Sequence, residues 1–70
     1  MATMAERVHW INEVAKADFD RASGMLDMFN SMCGTECGFL DGRVVYSDSP
    51  RGNTAQFYAD CHDLETMLTR

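Results

Sequence analysis

Seventy residues make one small domain, residues 1–70, and a chain this short buries only about 60% of its unfolded surface, so its own core is marginal without disulfides, a metal or oligomerisation. An apolar content of 46% excludes a disordered chain, and a net charge of −5 from 11 acidic and 6 basic residues disfavours nonspecific binding to a phosphate backbone. No apolar run approaches the roughly 18 residues of a membrane span or forms a signal-peptide core, and 3 cysteines fit no closed disulfide framework, so a reducing cytoplasmic setting is expected.

The first element opens on Thr3-Met4-Ala5-Glu6, which has the form of a capping box. Apolar residues then recur at Met4, Val8, Ile11 and Ala15, and again at Ala22, Leu26, Phe29 and Cys33. That spacing predicts one amphipathic helix from Met4 to Cys33, about 45 Å long if unbroken. Asp18 falls in the seam, as a register-fixing polar residue or at the edge of the stripe. Ser23-Gly24 is the weak point, because a mid-helix glycine costs roughly 1 kcal/mol relative to alanine, and a kink is expected near Gly24. A second stripe holds Trp10, Val14 and Ala17, then Met25, Met28 and Met32. One helix of that length carries more apolar surface than the remaining 37 residues can cover. The excess predicts a partner, either a second copy in a homodimer or another protein.

Gly34 is placed to end the helix in a left-handed cap. Asp41-Gly42 between Phe39-Leu40 and Val44-Val45-Tyr46 is a hairpin signal. Ser47 to Asn53 collects turn formers and reads as a loop. Asn53 or Thr54 can cap a final helix whose apolar face is Phe57, Cys61, Leu64 and Leu68, with Met67 beside them. The expected fold is α+β, in the order α-β-β-α.

Cys33-x3-Cys37 with Cys61-His62 is the sharpest chemical constellation, since thiolates and imidazole are zinc ligands and structural zinc takes four in a tetrahedron. His9 is an alternative fourth ligand. Against a zinc site, Cys61 already lies on the apolar stripe, and adjacent helical residues point about 100° apart. Buried free cysteines explain the same residues, as does a Cys33–Cys37 disulfide. A Cys-His nucleophile would need an exposed, low-pKa thiol in a cleft, and no catalytic signature stands out, so no enzyme is expected.

Asp60 and Asp63, three apart on the expected final helix, would share a face, either as a solvated surface or as an acidic rim for a basic partner. Met25, Met28, Phe29 and Met32 form an adaptable apolar patch, of use in a core or on a binding surface. A basic hairpin carrying Arg43, Arg51 and Tyr46 is the form that nucleic-acid binding would take, although the charge disfavours it. These features together predict a small acidic protein that binds another protein stoichiometrically, as an inhibitor or adaptor. Chains of this size and charge suit a phage or mobile element that blocks a host or defence factor. The alternatives are a module stabilised by one structural zinc and a nucleic-acid mimic filling a basic site on its target.

Overall fold

The structure is a computed structural model that describes residues 2–47 and 54–70. The expected loop beyond Ser47, Arg51, the Asn53 cap and the side chain of Phe57 lie outside the described residues. The capping box forms: the Glu6 amide donates to the Thr3 hydroxyl at 3.1 Å, and the Thr3 amide reaches back to Glu6 Oε1 at 3.4 Å. Helix α1 (Met4–Ala17) follows and buries Val8 and Ile11.

The single long helix does not form, and the break is at Asp18 rather than Gly24. Asp18 is extended, at φ −150°. Its amide donates to the Val14 carbonyl at 2.7 Å, closing α1, and its Oδ1 accepts the Arg21 amide at 3.1 Å, opening α2 (Phe19–Cys33). Aspartate is among the best N-caps because its side chain satisfies an amide that the helix leaves free. Gly24 sits inside α2 without interrupting it. The chain turns back at Asp18, and the molecule's longest dimension is 33 Å, too short for the expected helix. The two helices therefore bury much of the first stripe against each other, with Ala22, Leu26 and Phe29 facing Val8 and Ile11.

Gly34 caps α2 at φ 65°, as expected. Asn30 then organises the exit loop: its Oδ1 accepts the Cys37 amide at 2.9 Å and the Thr35 hydroxyl at 2.8 Å, and its Nδ2 donates to the Cys37 carbonyl at 3.0 Å. Strands β1 (Gly38–Leu40) and β2 (Arg43–Ser47) pair antiparallel, with Phe39 opposite Val44. The turn has Asp41 at φ 52° and Gly42 at φ 78°, the two positive values of a type I′ hairpin. Nothing lies near a Cβ built on Gly42, so a valine there is strained by its backbone alone. G42V is expected to cost about 1–2 kcal/mol, read from the midpoint of a urea melt.

The final helix differs from expectation. It divides into α3 (Thr54–Asp60) and α4 (Leu64–Leu68), and Cys61–Asp63 between them forms a third strand, β3. β3 pairs antiparallel with β2, setting Ser47 opposite Cys61 and Val45 opposite Asp63. A lone hairpin is marginal in water, and β3 widens it to a three-stranded sheet in the order β1-β2-β3. Asp63 stops the strand and N-caps α4, its Oδ1 accepting the Thr66 amide at 3.2 Å. The helix pair lies against the sheet through Val8, Leu26, Phe29, Cys37, Val44 and Leu64, and Phe19 meets Phe39 at a tilt of 54°, with ring centres 4.9 Å apart. The mixed α+β class is as predicted.

Candidate functional site

Because α1 and α2 fold back on each other, Trp10 at the head of the second α1 stripe comes beside the Met25, Met28 and Met32 stripe of α2 along an open groove of about 450 Å³. Trp10 and Ile11 form the α1 wall with Glu6 and Arg7, and Met25, Met28, Phe29 and Met32 form the α2 wall. Phe29 and Ile11 are buried and make the floor. Trp10 is 60% exposed, and Met28 and Met32 are each 66% exposed. Apolar side chains of this size thus stand in solvent around one concavity. All four residues of the expected Met patch, Met25, Met28, Phe29 and Met32, come together here. Trp10 and Arg7 were missing from the expected site, although Trp10 heads the second stripe with Val14 and Ala17 behind it.

The groove's electrostatics are local. Arg7 is half-buried, and among the described residues its guanidinium makes no hydrogen bond or ion pair. Glu6 beside it is exposed, with Oε1 turned to Thr3.

The acidic residues do not assemble as expected. Asp60 ends α3 and Asp63 caps α4, so they share no helical face. Asp60 accepts a hydrogen bond from Gln56 at 2.8 Å. Asp63 accepts the Arg43 Nε–H at 2.9 Å. Arg43 also reaches Glu65 through Nη2 at 3.1 Å, so the one hairpin cation that the structure describes is committed within the fold. Tyr46 is half-buried against the core.

Glu65 is the hub of a polar clamp joining α1, β2 and α4. Its Oε1 lies 2.6 Å from His9 Nδ1, and its Oε2 accepts Asn12 Nδ2–H at 2.6 Å. His9 Nε2 lies 3.6 Å from Glu13. Asn12 is 2% exposed, and its Oδ1 accepts the Val44 amide at 2.7 Å. Val44 sits one residue past the last β2–β3 pair, so Asn12 supplies the acceptor that the sheet no longer provides. Among the described residues no buried side-chain nitrogen or oxygen lacks a partner.

The clamp sets an acid limit on stability. Hydrogen bonds from Asn12 and then His9 hold the Glu65 carboxyl below the usual range, against the opposing effect of burial. Burial raises the Asp63 carboxyl, but the Thr66 amide and Arg43 together outweigh it and hold it low. The unfolded chain therefore binds these protons more readily than the folded one. Their stabilisation is full above the unfolded values, about 4, and fades as pH falls through the lower folded ones. Thermal melts are expected to hold steady from neutrality to about pH 5 and then drop. E65Q should flatten that drop, and a wild-type melting temperature that rises below pH 4 would contradict the clamp.

The sulfur chemistry is dispersed. Cys33 and Cys37 lie on the helix side with the core. Cys61 and His62 are neighbours on β3, so their side chains point to opposite sheet faces. All 3 cysteines are free, and among the described residues no group of three or more His, Cys, Asp or Glu side chains is arranged to hold a metal ion. Burial pushes the Cys37 thiol up, opposed by a Thr35 hydrogen bond and aided by Cys33. Burial and then Asp60 push Cys61 up. A nucleophilic thiol needs the opposite shift. Among the described residues no helix is long and apolar enough to cross a membrane.

The chain matches no known protein family, no curated protein and no solved structure.

Proposed function

We propose that this protein acts by stoichiometric association with another protein, as an inhibitor or adaptor, and that the α1/α2 groove is its docking surface. The observation that carries this reading is the exposure of Trp10, Met28 and Met32 around one apolar concavity. Tryptophan and methionine are the types enriched at the centres of interfaces, and methionine adapts to an irregular partner. An elongated cleft between two helices suits the apolar face of a third helix. The acidic surface outside the groove would steer a basic partner and speed encounter. Charge reversal at Asp63 is a poor probe of that rim, because it also removes a helix cap and an Arg43 partner.

The test compares capture by the wild-type chain, by M28D/M32D and by D27N. Asp27 is exposed on the same helix, about 100° from Met28. A protein held by wild type and D27N but lost by M28D/M32D, and bound one-to-one when purified, supports the reading. Equal capture by all three chains overturns it.

A further inference from the structure

We propose that the α1/α2 groove binds a small amphipathic anion, a free medium-chain carboxylate, with its head on the Arg7 guanidinium and its tail between Trp10 and the α2 methionines. The site stands on the groove's own residues and needs no protein to dock there.

The cation selects the head group. Of the described lysine and arginine side chains, Lys16 pairs with Glu13, and Arg43 pairs with Asp63 and Glu65. Arg7, Arg21 and Arg70 have no side-chain partner among the described residues, and of these Arg7 alone is half-buried, the other two being exposed. Arg7 is also the one described cation on the groove wall. The acid beside it, Glu6, turns Oε1 to the Thr3 amide and hydroxyl at 3.4 and 3.2 Å, so Arg7 is left for a ligand. A guanidinium presents a planar fork of donors that matches a carboxylate in a bidentate pair. A partly buried pair is also screened less than an exposed one.

The rest of the groove selects the tail. Arg7, Trp10 and Ile11 lie three and four apart and share one face of α1, and Met25, Met28 and Met32 follow the same spacing along α2. Because the chain turns back at Asp18, Arg7, near the start of α1, lies toward the end of α2 that carries Met32. The apolar walls run away from it toward Met25. The seven residues from Met25 to Met32 span about 10 Å, which suits a medium chain rather than a long one. The volume of about 450 Å³ falls in the range of small-molecule sites, about 300–1,000 Å³, and thioether side chains adapt to a flexible chain.

The net charge selects the source. At −5 the chain as a whole is repelled by an anionic bilayer. A single carboxylate meets Arg7 within a Debye length of about 8 Å, where remote acids are largely screened.

The experiment titrates the full chain with decanoate and with decanol at neutral pH, below their aggregation concentrations. Trp10, the single tryptophan, gives the fluorescence signal, and far-UV circular dichroism follows the fold. Decanoate is expected to saturate at one per chain and to bind about 10-fold more tightly than decanol. Hexanoate should bind more weakly, by about twofold for each methylene removed. R7Q should erase the preference and leave decanol binding unchanged, M28D/M32D should weaken both ligands, and D27N neither. The wild-type preference needs no variant, so it tests the site even where R7Q folds poorly. Equal affinity of wild type for the two ligands, a preference that survives in folded R7Q, or no response of Trp10 to decanoate would each overturn the proposal. Phosphatidylserine vesicles should leave Trp10 unchanged, and a response to them without one to decanoate would overturn the free ligand in favour of a membrane surface. Failure of the two readings is separable. A groove that ignores decanoate yet captures a protein overturns only the carboxylate site, and one that binds decanoate while its variants capture protein unchanged overturns only docking.

Discussion

Replacing Asn12 with alanine is expected to lower the unfolding free energy by about 3 kcal/mol, the largest single effect we assign to any side chain outside the apolar core. The substitution removes two short hydrogen bonds at once. The Val44 amide, donated to Asn12 Oδ1 at 2.7 Å, loses its acceptor in a buried setting. Glu65 loses the Asn12 donor at 2.6 Å and keeps His9 and Arg43. An orphaned buried donor costs about 1–3 kcal/mol, and a bond to a charged group adds to that. A domain of this size holds only about 4–10 kcal/mol in total, so N12A removes a large share of it. N12D keeps the acceptor for Val44 but sets a second carboxylate against Glu65, so it should be no better. Urea melts of the three chains check this, and a loss under about 1 kcal/mol for N12A would contradict the clamp.

The second large effect is on association. M28D/M32D is expected to weaken partner binding by about 100-fold or more, since central apolar contacts carry much of an interface's energy. The same change should alter stability by no more than about 0.5 kcal/mol, because exposed side chains contribute little to folding. Isothermal titration and a thermal melt on the same preparation separate the two. A variant that binds normally would remove the groove from the proposed function, and one that fails to fold would show the methionines to be core.

The hairpin, the start of the first helix at Thr3 and the Gly34 cap are legible because their signals are local. Thr3 and Glu6 specify a capping box within four residues, and Asp41-Gly42 specifies a turn within two. The break at Asp18 was harder to read. The apolar period resumes beyond it at Ala22, so Asp18 reads as one polar residue in a continuous stripe, and aspartate serves equally as a surface residue and as an N-cap. What decides is the burial gained when α1 and α2 turn back on each other, a tertiary effect that outweighs a continuous helix. β3 was hidden for a related reason. Cys61, Leu64 and Leu68 keep helical spacing, yet Cys61–Asp63 does more as the strand that completes the sheet beside β2.

The Met patch was visible as a stripe, but whether it lay in the core or in solvent depended on where the chain folded back. Asn12 carried a readable sign: a polar residue beside Val8 and Ala15 on the core face of α1 must find buried partners. Its partners, Val44 and Glu65, lie far along the chain, so the clamp itself could not be read from spacing. Asp60 and Asp63 would share a face only on a continuous helix, which β3 interrupts.

The chain contains 1 tryptophan, and it stands in the groove, so collisional quenching of Trp10 fluorescence reports directly on whether that surface is covered. At high dilution Trp10 should be quenched by acrylamide as an exposed side chain. Adding a purified protein partner should protect it and shift its emission to shorter wavelength. Quenching that is the same in every state would contradict a role for the groove in association.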